Sequence, residues 1–363
     1  MDIPQYGPYS PYGEKQPSQS RWAMKVLAAA ALILTVSAVW AVLFLPAGEH
    51  GGEAEETHLP FLGVSHQVYP ATLTAEMPQP GGDTWLFPGG VLEAGGATFV
   101  LDTGHNRILK LEGGSVTATM GGAPDGPLLV DAMAMATDGQ RIYVANSAAA
   151  QVLVLGLDGQ VAKTIDLAKG PGDAATPRPI GVAILPGGGI AVSDAGNHRV
   201  LFLDAEGGLV NAIGTGTRSS GQDGFNVPGA MTTDSAGNLY VVDTLNGRIV
   251  KLSPDGAYAS QFGTLGDTAG TLSRPKGVAV DAAGTVFVSD GLMAAVSVFA
   301  PDGTYLGMIG RRDATDAASG SIFQAPAGLW LTGDTLLVMD RVAGLITVRL
   351  SGPLEQPTAA AGE

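Results

Sequence analysis

Ile180-Gly181-Val182-Ala183-Ile184 is followed by a glycine turn, then Ile190-Ala191-Val192-Ser193-Asp194, then Ala195-Gly196-Asn197-His198-Arg199-Val200-Leu201-Phe202-Leu203-Asp204. A second turn, Ala205-Glu206-Gly207-Gly208, leads into Leu209-Val210-Asn211-Ala212-Ile213-Gly214. Short runs rich in Val and Ile, bounded by Gly and Asp, read as strands. Four antiparallel strands in one meander of roughly 45 residues make one blade of a β-propeller.

The unit recurs along the chain. The Asp that ends the second strand returns as Asp102, Asp194, Asp243, Asp290 and Asp340, with Asn146 in the remaining copy. Consecutive members lie 44, 48, 49, 47 and 50 residues apart. Five residues further on stand Arg107, Arg199 and Arg248 in three copies and Gln151, Ala295 and Leu345 in the others. Ahead of the first strand a Pro precedes a Gly by two residues as Pro88/Gly90, Pro179/Gly181, Pro275/Gly277 and Pro326/Gly328, while Pro228 is followed by Ala230. Blades are expected to start near Phe87, Asp131, Pro179, Pro228, Pro275 and Pro326. Gly113-Gly114, Asp158-Gly159, Gly207-Gly208, Asp255-Gly256 and Asp302-Gly303 suit tight hairpins that need positive φ.

Asp194-Ala195-Gly196-Asn197-His198-Arg199-Val200 resembles the NHL repeat, named for Asn-His-Leu. Asp102-Thr103-Gly104-His105-Asn106-Arg107 is similar with Asn and His exchanged, and Asp243-Thr244-Leu245-Asn246-Gly247-Arg248 is a looser match. The resemblance covers about residues 85 to 350. It implies an all-β, six-bladed NHL-type propeller, and it is specific for fold and weak for function, because such folds host unrelated activities.

Composition narrows the function. With 363 residues, 53 Gly and 23 Pro, the chain is long enough for a single propeller domain, and its glycines lie between apolar strands, as turns require. The absence of Cys excludes disulfides, thiolate zinc sites, iron–sulfur clusters and Cys-x-x-Cys-His haem attachment. A net charge of −15 argues against nucleic acid as a partner, since phosphate binding needs a basic surface.

Residues 1–25, rich in Pro, Tyr, Gln and Ser, read as a disordered tail. Val26 to Leu45 is uncharged and apolar throughout. At ~1.5 Å per residue, a helix of about 20 residues spans the roughly 30 Å of a bilayer's hydrocarbon. Arg21 and Lys25 flank it on one side, and Glu49, Glu53, Glu55 and Glu56 follow on the other. The positive-inside rule then places the N-terminus in the cytoplasm and the propeller outside, on a single-pass signal-anchor in the plasma membrane. The competing reading is a cleaved signal peptide, whose apolar core would be unusually long and which lacks a small-x-small site directly after it. Residues 46–70 are expected to be a linker, Gly- and Glu-rich up to residue 58, and residues 352–363 a loose tail.

Residues 71–77, Ala-Thr-Leu-Thr-Ala-Glu-Met, resemble the outer strand Val116-Thr117-Ala118-Thr119-Met120. The last repeat lacks a fourth strand, since Pro353 and Pro357 follow its third. Residues 71–77 are therefore expected to complete that blade and remove an exposed edge, giving a propeller of 71–351.

Strand alternation sorts the loops onto two faces. One carries short Gly and Asp turns; the other carries the long loops 168–178, 214–227, 263–275 and 310–325, the usual seat of function. Most basic residues of the propeller also fall on that long-loop face. Arg107, Arg199 and Arg248 repeat in register with Asp102, Asp194 and Asp243 and are expected to be blade fixtures. Arg178, Arg218, Arg274, Lys276, Arg311 and Arg312 are the candidate binding residues of a cationic rim for a protein partner or acidic ligand, with solvation as the plain alternative for exposed charges. Apolar loop tips at Ser147 to Ala150, Gly291 to Ala295 and Arg341 to Leu345 read equally as a docking patch on this face or as locally buried.

No cofactor and no metal are expected. The repeat positions, Asp290 and Asp340 included, are better placed to accept backbone N–H bonds from their own loops than to form a carboxylate ring. His50 and His58 fall in the linker, and His105 and His198 sit two blades apart, short of the three or four converging ligands zinc needs. NHL-type amidating lyases, similar in fold, place zinc-binding His near the axis. The corresponding positions here are Gly90, Ala132, Gly181, Ala230, Gly277 and Gly328, which cannot bind metal. The expected function is a membrane-anchored, extracytoplasmic scaffold or sensor module that binds a protein or ligand, the alternative being a lyase or hydrolase at the central channel.

Overall fold

The computed structural model describes residues 69, 71–77, 85–123, 126–167, 173, 175–310 and 322–351. The expected tail, membrane anchor, most of the linker, the C-terminal tail, and Arg311 and Arg312 lie outside them. Among the described residues no helix is long and apolar enough to cross a membrane.

The chain folds into six four-stranded antiparallel sheets. Five are simple meanders: Gly90–Met120, Ala132–Asp166, Pro179–Ile213, Pro228–Phe262 and Pro275–Ile309. The sixth takes Pro326–Thr332, Thr335–Asp340 and Gly344–Leu350 from the end of the chain and Ala71–Met77 from its beginning. The first strand of each blade packs against the first strand of the next, and the sixth meets the first, so the ring closes around an axis. A small additional hairpin pairs Gly122–Ala123 with Gly126–Pro127.

The second and third strands of a blade are apolar on both sides because the middle of each blade is covered on both sides. Outer strands such as Ser115–Met120 and Leu209–Ile213 are largely exposed. In Arg107–Glu112, Ile108 joins a core shared with the second blade, and Leu109 and Leu111 join one shared with the sixth. Six such apolar layers, one between every pair of neighbouring blades, make up the core. The repeat is exact enough to conserve irregularities. In the five meanders the pairing of third and fourth strand slips at one position, for instance at Phe202/Leu203 and Lys251/Leu252. The closing strand slips at Leu73/Ala75 in the same way, and Thr74 donates to the Thr347 carbonyl at 3.1 Å.

The end of the expected linker is part of the fold. Tyr69 is buried, donates its N–H to the Met308 carbonyl at 2.9 Å, and sets its ring edge-on to Phe287 with centroids 6.0 Å apart. It fills the layer between the fifth and sixth blades just ahead of the closing strand.

Crowding at the axis explains three of the Pro-x-Gly glycines, Gly181, Gly277 and Gly328. A Cβ on Gly181 would stand 2.1 Å from the Gly229 carbonyl oxygen, and one on Gly277 would stand 2.3 Å from that of Ala327. Those contacts are with backbone and cannot rotate away, so at these two positions the side chain must be hydrogen, while Ala132 and Ala230 stand at the corresponding positions of blades two and four.

Candidate functional site

The long-loop face is organised by the buried repeat carboxylates, each fully closed to solvent. Asp194 accepts the Arg178 N–H, 16 residues earlier, at 2.9 Å, the Asn197 amide at 2.8 Å and Arg199 Nε at 3.0 Å. Asp102 repeats the scheme with the Leu86 N–H, His105 and Arg107, and Asp243 with the Asn226 N–H, Asn246 and Arg248. Each carboxylate thus ties the start of its blade's first strand to the loop after its second. Charged hydrogen bonds of this length make the burial tolerable.

Blades five and six reach the same end without an arginine at that position. Asp290 accepts N–H bonds from Ser273, Arg274, Leu292 and Met293, and Asp340 from Gln324, Ala325, Val342 and Ala343. Asn146 takes the place of Asp in blade two, accepting the Val130 N–H at 2.6 Å and donating to the Leu128 carbonyl. Among the described residues no three His, Asp or Glu converge as a metal-ligand set.

A second repeated link was not legible in the sequence. The fourth residue after each repeat position has positive φ: Asn106, Ala150, His198, Gly247, Ala294 and Gly344. Where that residue carries an acceptor it reaches the next blade. Asn106 Oδ1 accepts the Asp131 N–H at 2.9 Å, and His198 Nδ1 accepts the Val227 N–H at 3.1 Å. His198 is therefore held neutral. Burial lowers its pKa below the usual 6.5, the Arg218 charge lowers it further, and Asp194 and Asp243 oppose both.

The folded chain accordingly takes up this proton at lower pH than the unfolded chain does. Stability is complete above about 6.5 and is lost as pH falls through that value, levelling off below the folded pKa. Asn, which already does this job at Asn106 and tolerates the left-handed conformation, is expected to replace it. In urea melts at pH 7.5 and 5.0, His198→Asn should keep the stability at the higher pH and lose less than the native chain on acidification. Equal losses would refute the assignment.

The candidate rim residues separate into paired and unpaired. Arg199 adds a bidentate pair with Asp173, at 2.6 and 2.8 Å, to its bond with Asp194. Arg248 is buried and bonded through every donor nitrogen. Arg178 reaches Asp131 across the blade boundary at 3.7 Å, exposed at both ends, so it is a blade-to-blade contact of small worth. Arg218 and Arg274 are exposed. Lys276 is half-buried, and burial, then Arg341 and Arg274, push its pKa down, with Asp290 acting the other way. Neither Arg218, Arg274 nor Lys276 has an ion-pair partner among the described residues.

Two hollows open beside these cations. One is the mouth of the central channel, about 200 Å³, lined largely by glycine and apolar side chains from every blade, with Lys276 and Arg341 its charged members. The other is a groove of about 340 Å³ between blades five and six, lined by Arg274, Lys276, Gly291, Leu292, Ala325, Pro326 and Arg341. Among the described residues no carboxylate or imidazole lines either. Arg341 immediately follows Asp340, where the other blades carry Thr103, Ser147, Ala195, Thr244 and Gly291. That departure is the signal in the sequence that could have marked it as more than a rim charge. Of the apolar loop tips, Leu292 and Val342 are exposed, whereas Met293 and Leu345 are buried.

Comparison with known proteins agrees with this architecture. The family model of the NHL repeat matches residues 176–201. No curated protein matches the chain. Among solved structures, a catalytically inactive virginiamycin B lyase from Staphylococcus aureus, determined with quinupristin, superposes with a TM-score of 0.56 at 14% identity over 77% of this chain and 100% of its own. A gluconolactonase from Xanthomonas campestris gives 0.54 at 18%, over 79% and 97%. A luciferin-regenerating enzyme gives 0.56 at 11%, over 78% and 95%. At such identities the likeness is one of fold. The protein is a six-bladed β-propeller carrying an NHL repeat.

Proposed function

We propose that this chain is a binding module: a propeller held outside the cytoplasm by one membrane helix at residues 26–45, which engages an acidic protein partner or ligand through its long-loop face. The observation that carries the reading is the set of cations on that face that have no ion-pair partner among the described residues, Arg218, Arg274, Lys276 and Arg341, on a chain of net charge −15. In an acidic protein, unpaired cations gathered on one rigid face favour an oppositely charged partner and repel the protein's own acidic surfaces. The exposed Leu292 and Val342 add apolar contact beside them. The anchor reading rests on the uncharged run from Val26 to Leu45 and the charges around it. The alternative, lyase or hydrolase chemistry at the channel, draws on what the superposing proteins are named for. The channel mouth of this chain has Lys276 and Arg341 as its charged members, with no carboxylate or imidazole among its described residues to act as partner base.

Cross-linking the full chain in native membranes, followed by affinity capture, tests the reading. A stoichiometric acidic partner should be recovered with the native chain and lost when Arg274, Arg311 and Arg312 are all changed to Glu. Capture that is identical with the triple variant refutes the rim.

A further inference from the structure

We infer that Lys276 and Arg341 form a binding site for the carboxylate of a small organic acid, with the acid's apolar body lying in the groove between blades five and six. This goes beyond partner docking and stands without it, because a small acid can bind whether or not a protein covers the face.

Three observations converge. First, Lys276 and Arg341 both line the channel mouth and both line the groove, so they stand on the wall between the two hollows. Second, both are partly sheltered from water and neither has a counter-ion among the described residues. Burial lowers the pKa of each, and among the described residues neither makes an ion pair. Asp290, whose charge acts on Lys276, and Asp340, next to Arg341 in the chain, are committed elsewhere, since each already accepts four backbone N–H bonds. Third, the Nε of Arg341 is closed off from solvent and meets no acceptor among the described residues. A buried charged donor without an acceptor is costly and uncommon in a native protein. The other long-loop arginines next to repeat carboxylates, Arg107, Arg199 and Arg248, all place Nε on an acceptor, at 2.8 to 3.0 Å.

The chemistry of the ligand follows from the lining. A guanidinium with an ammonium beside it suits a planar, two-oxygen anion. Beyond Lys276, Arg341, Gly291 and the exposed Arg274, the groove's described walls are Leu292, Ala325 and Pro326, which offer apolar surface and no acceptor side chain for a sugar or polyol. An aliphatic or aromatic carboxylate fits both parts; inorganic phosphate satisfies the cations alone and leaves the groove unfilled.

The test is calorimetric titration of the purified full chain with acetate, hexanoate, hexanamide and inorganic phosphate. Hexanoate should bind saturably and at least tenfold more tightly than acetate, and hexanamide should not bind. Lys276→Met and Arg341→Gln should each weaken hexanoate at least tenfold, with Arg141→Gln, beside an exposed short turn away from the groove, unchanged. Lys276→Met also removes an uncompensated buried charge, so without ligand it should melt at or above the native temperature. That behaviour separates loss of a site from loss of fold, should Arg341→Gln prove unstable. Hexanamide binding as well as hexanoate, phosphate binding in preference to it, or hexanoate binding unaltered in Lys276→Met would each overturn the proposal. So would the absence of saturable carboxylate binding by the native chain. A protein partner captured from membranes while hexanoate fails to bind would leave the docking function standing and remove the acid site.

Discussion

Removing residues 69–77 should collapse the whole ring, far beyond freeing one edge. Ala71–Met77 pairs with Gly344–Leu350 along its full length, from Ala71 opposite Leu350 to Met77 opposite Leu345. Without it the sixth blade ends on an unpaired strand, and unpaired edge groups are both costly and prone to association. Tyr69 leaves with it, opening a gap in the layer that joins blades five and six. Truncating a buried aromatic costs about 3–5 kcal/mol, and the lost ladder adds several net hydrogen bonds at about 1 kcal/mol each. Against a total stability of roughly 5–15 kcal/mol, the deletion should leave the chain unfolded or lower its melting temperature by more than about 10 °C. Circular dichroism melts of the full chain with and without 69–77 decide it. The same strand grafted after residue 351, where a turn returns it antiparallel to Gly344–Leu350, should restore most of the loss. An unchanged melt would mean that the ring is held by its first strands alone.

The closing strand was legible because propellers repeat. A last copy with three strands and a stray strand-like segment at the start of the chain leave one economical solution. The buried aspartates were legible for the same reason, and so was the pairing of Arg107, Arg199 and Arg248 with them. The limit came where a contact depends on two blades at once. Tyr69 looked like linker because its partners, Phe287 and Met308, lie more than two hundred residues on. The reach of His198 to Val227 depends on a left-handed backbone at position 198, which the residue type does not announce. Arg178 read as a free cation, yet its guanidinium lies near Asp131 of the previous blade boundary. The groove of Lys276 and Arg341 required two loops of different length to meet, and periodicity cannot supply that. What marked it in the sequence was a charge out of register with the repeat.

Arg248→Met should be the most damaging single substitution on the long-loop face, and Arg248→Lys should rescue little of it. Nε binds Asp243 at 2.8 Å; one terminal nitrogen binds the Ser220 carbonyl at 2.7 Å and Gln261 at 2.6 Å; the other binds the Gly221 and Gly224 carbonyls at 2.8 and 2.9 Å. All five N–H donors of the guanidinium are in use. The arginine therefore does two things: it neutralises a buried carboxylate, and it serves as the internal template on which the loop 214–227 folds. Methionine fills much of the volume but strands Asp243 and the loop carbonyls, and breaking a buried pair in this way costs about 3–5 kcal/mol. Lysine restores the charge, but one point donor cannot span the fork of five acceptors. If charge alone matters, Arg248→Lys will match the native urea midpoint. If the template matters, it will fall near Arg248→Met, and amide exchange at Ser219 and Gly224, whose N–H groups bond within the loop, will accelerate in both variants. The second outcome is expected. The loop also carries Arg218, one of the rim's unpaired cations, and runs up to Val227, where His198 binds. Its loosening should therefore weaken partner capture without any change in surface charge.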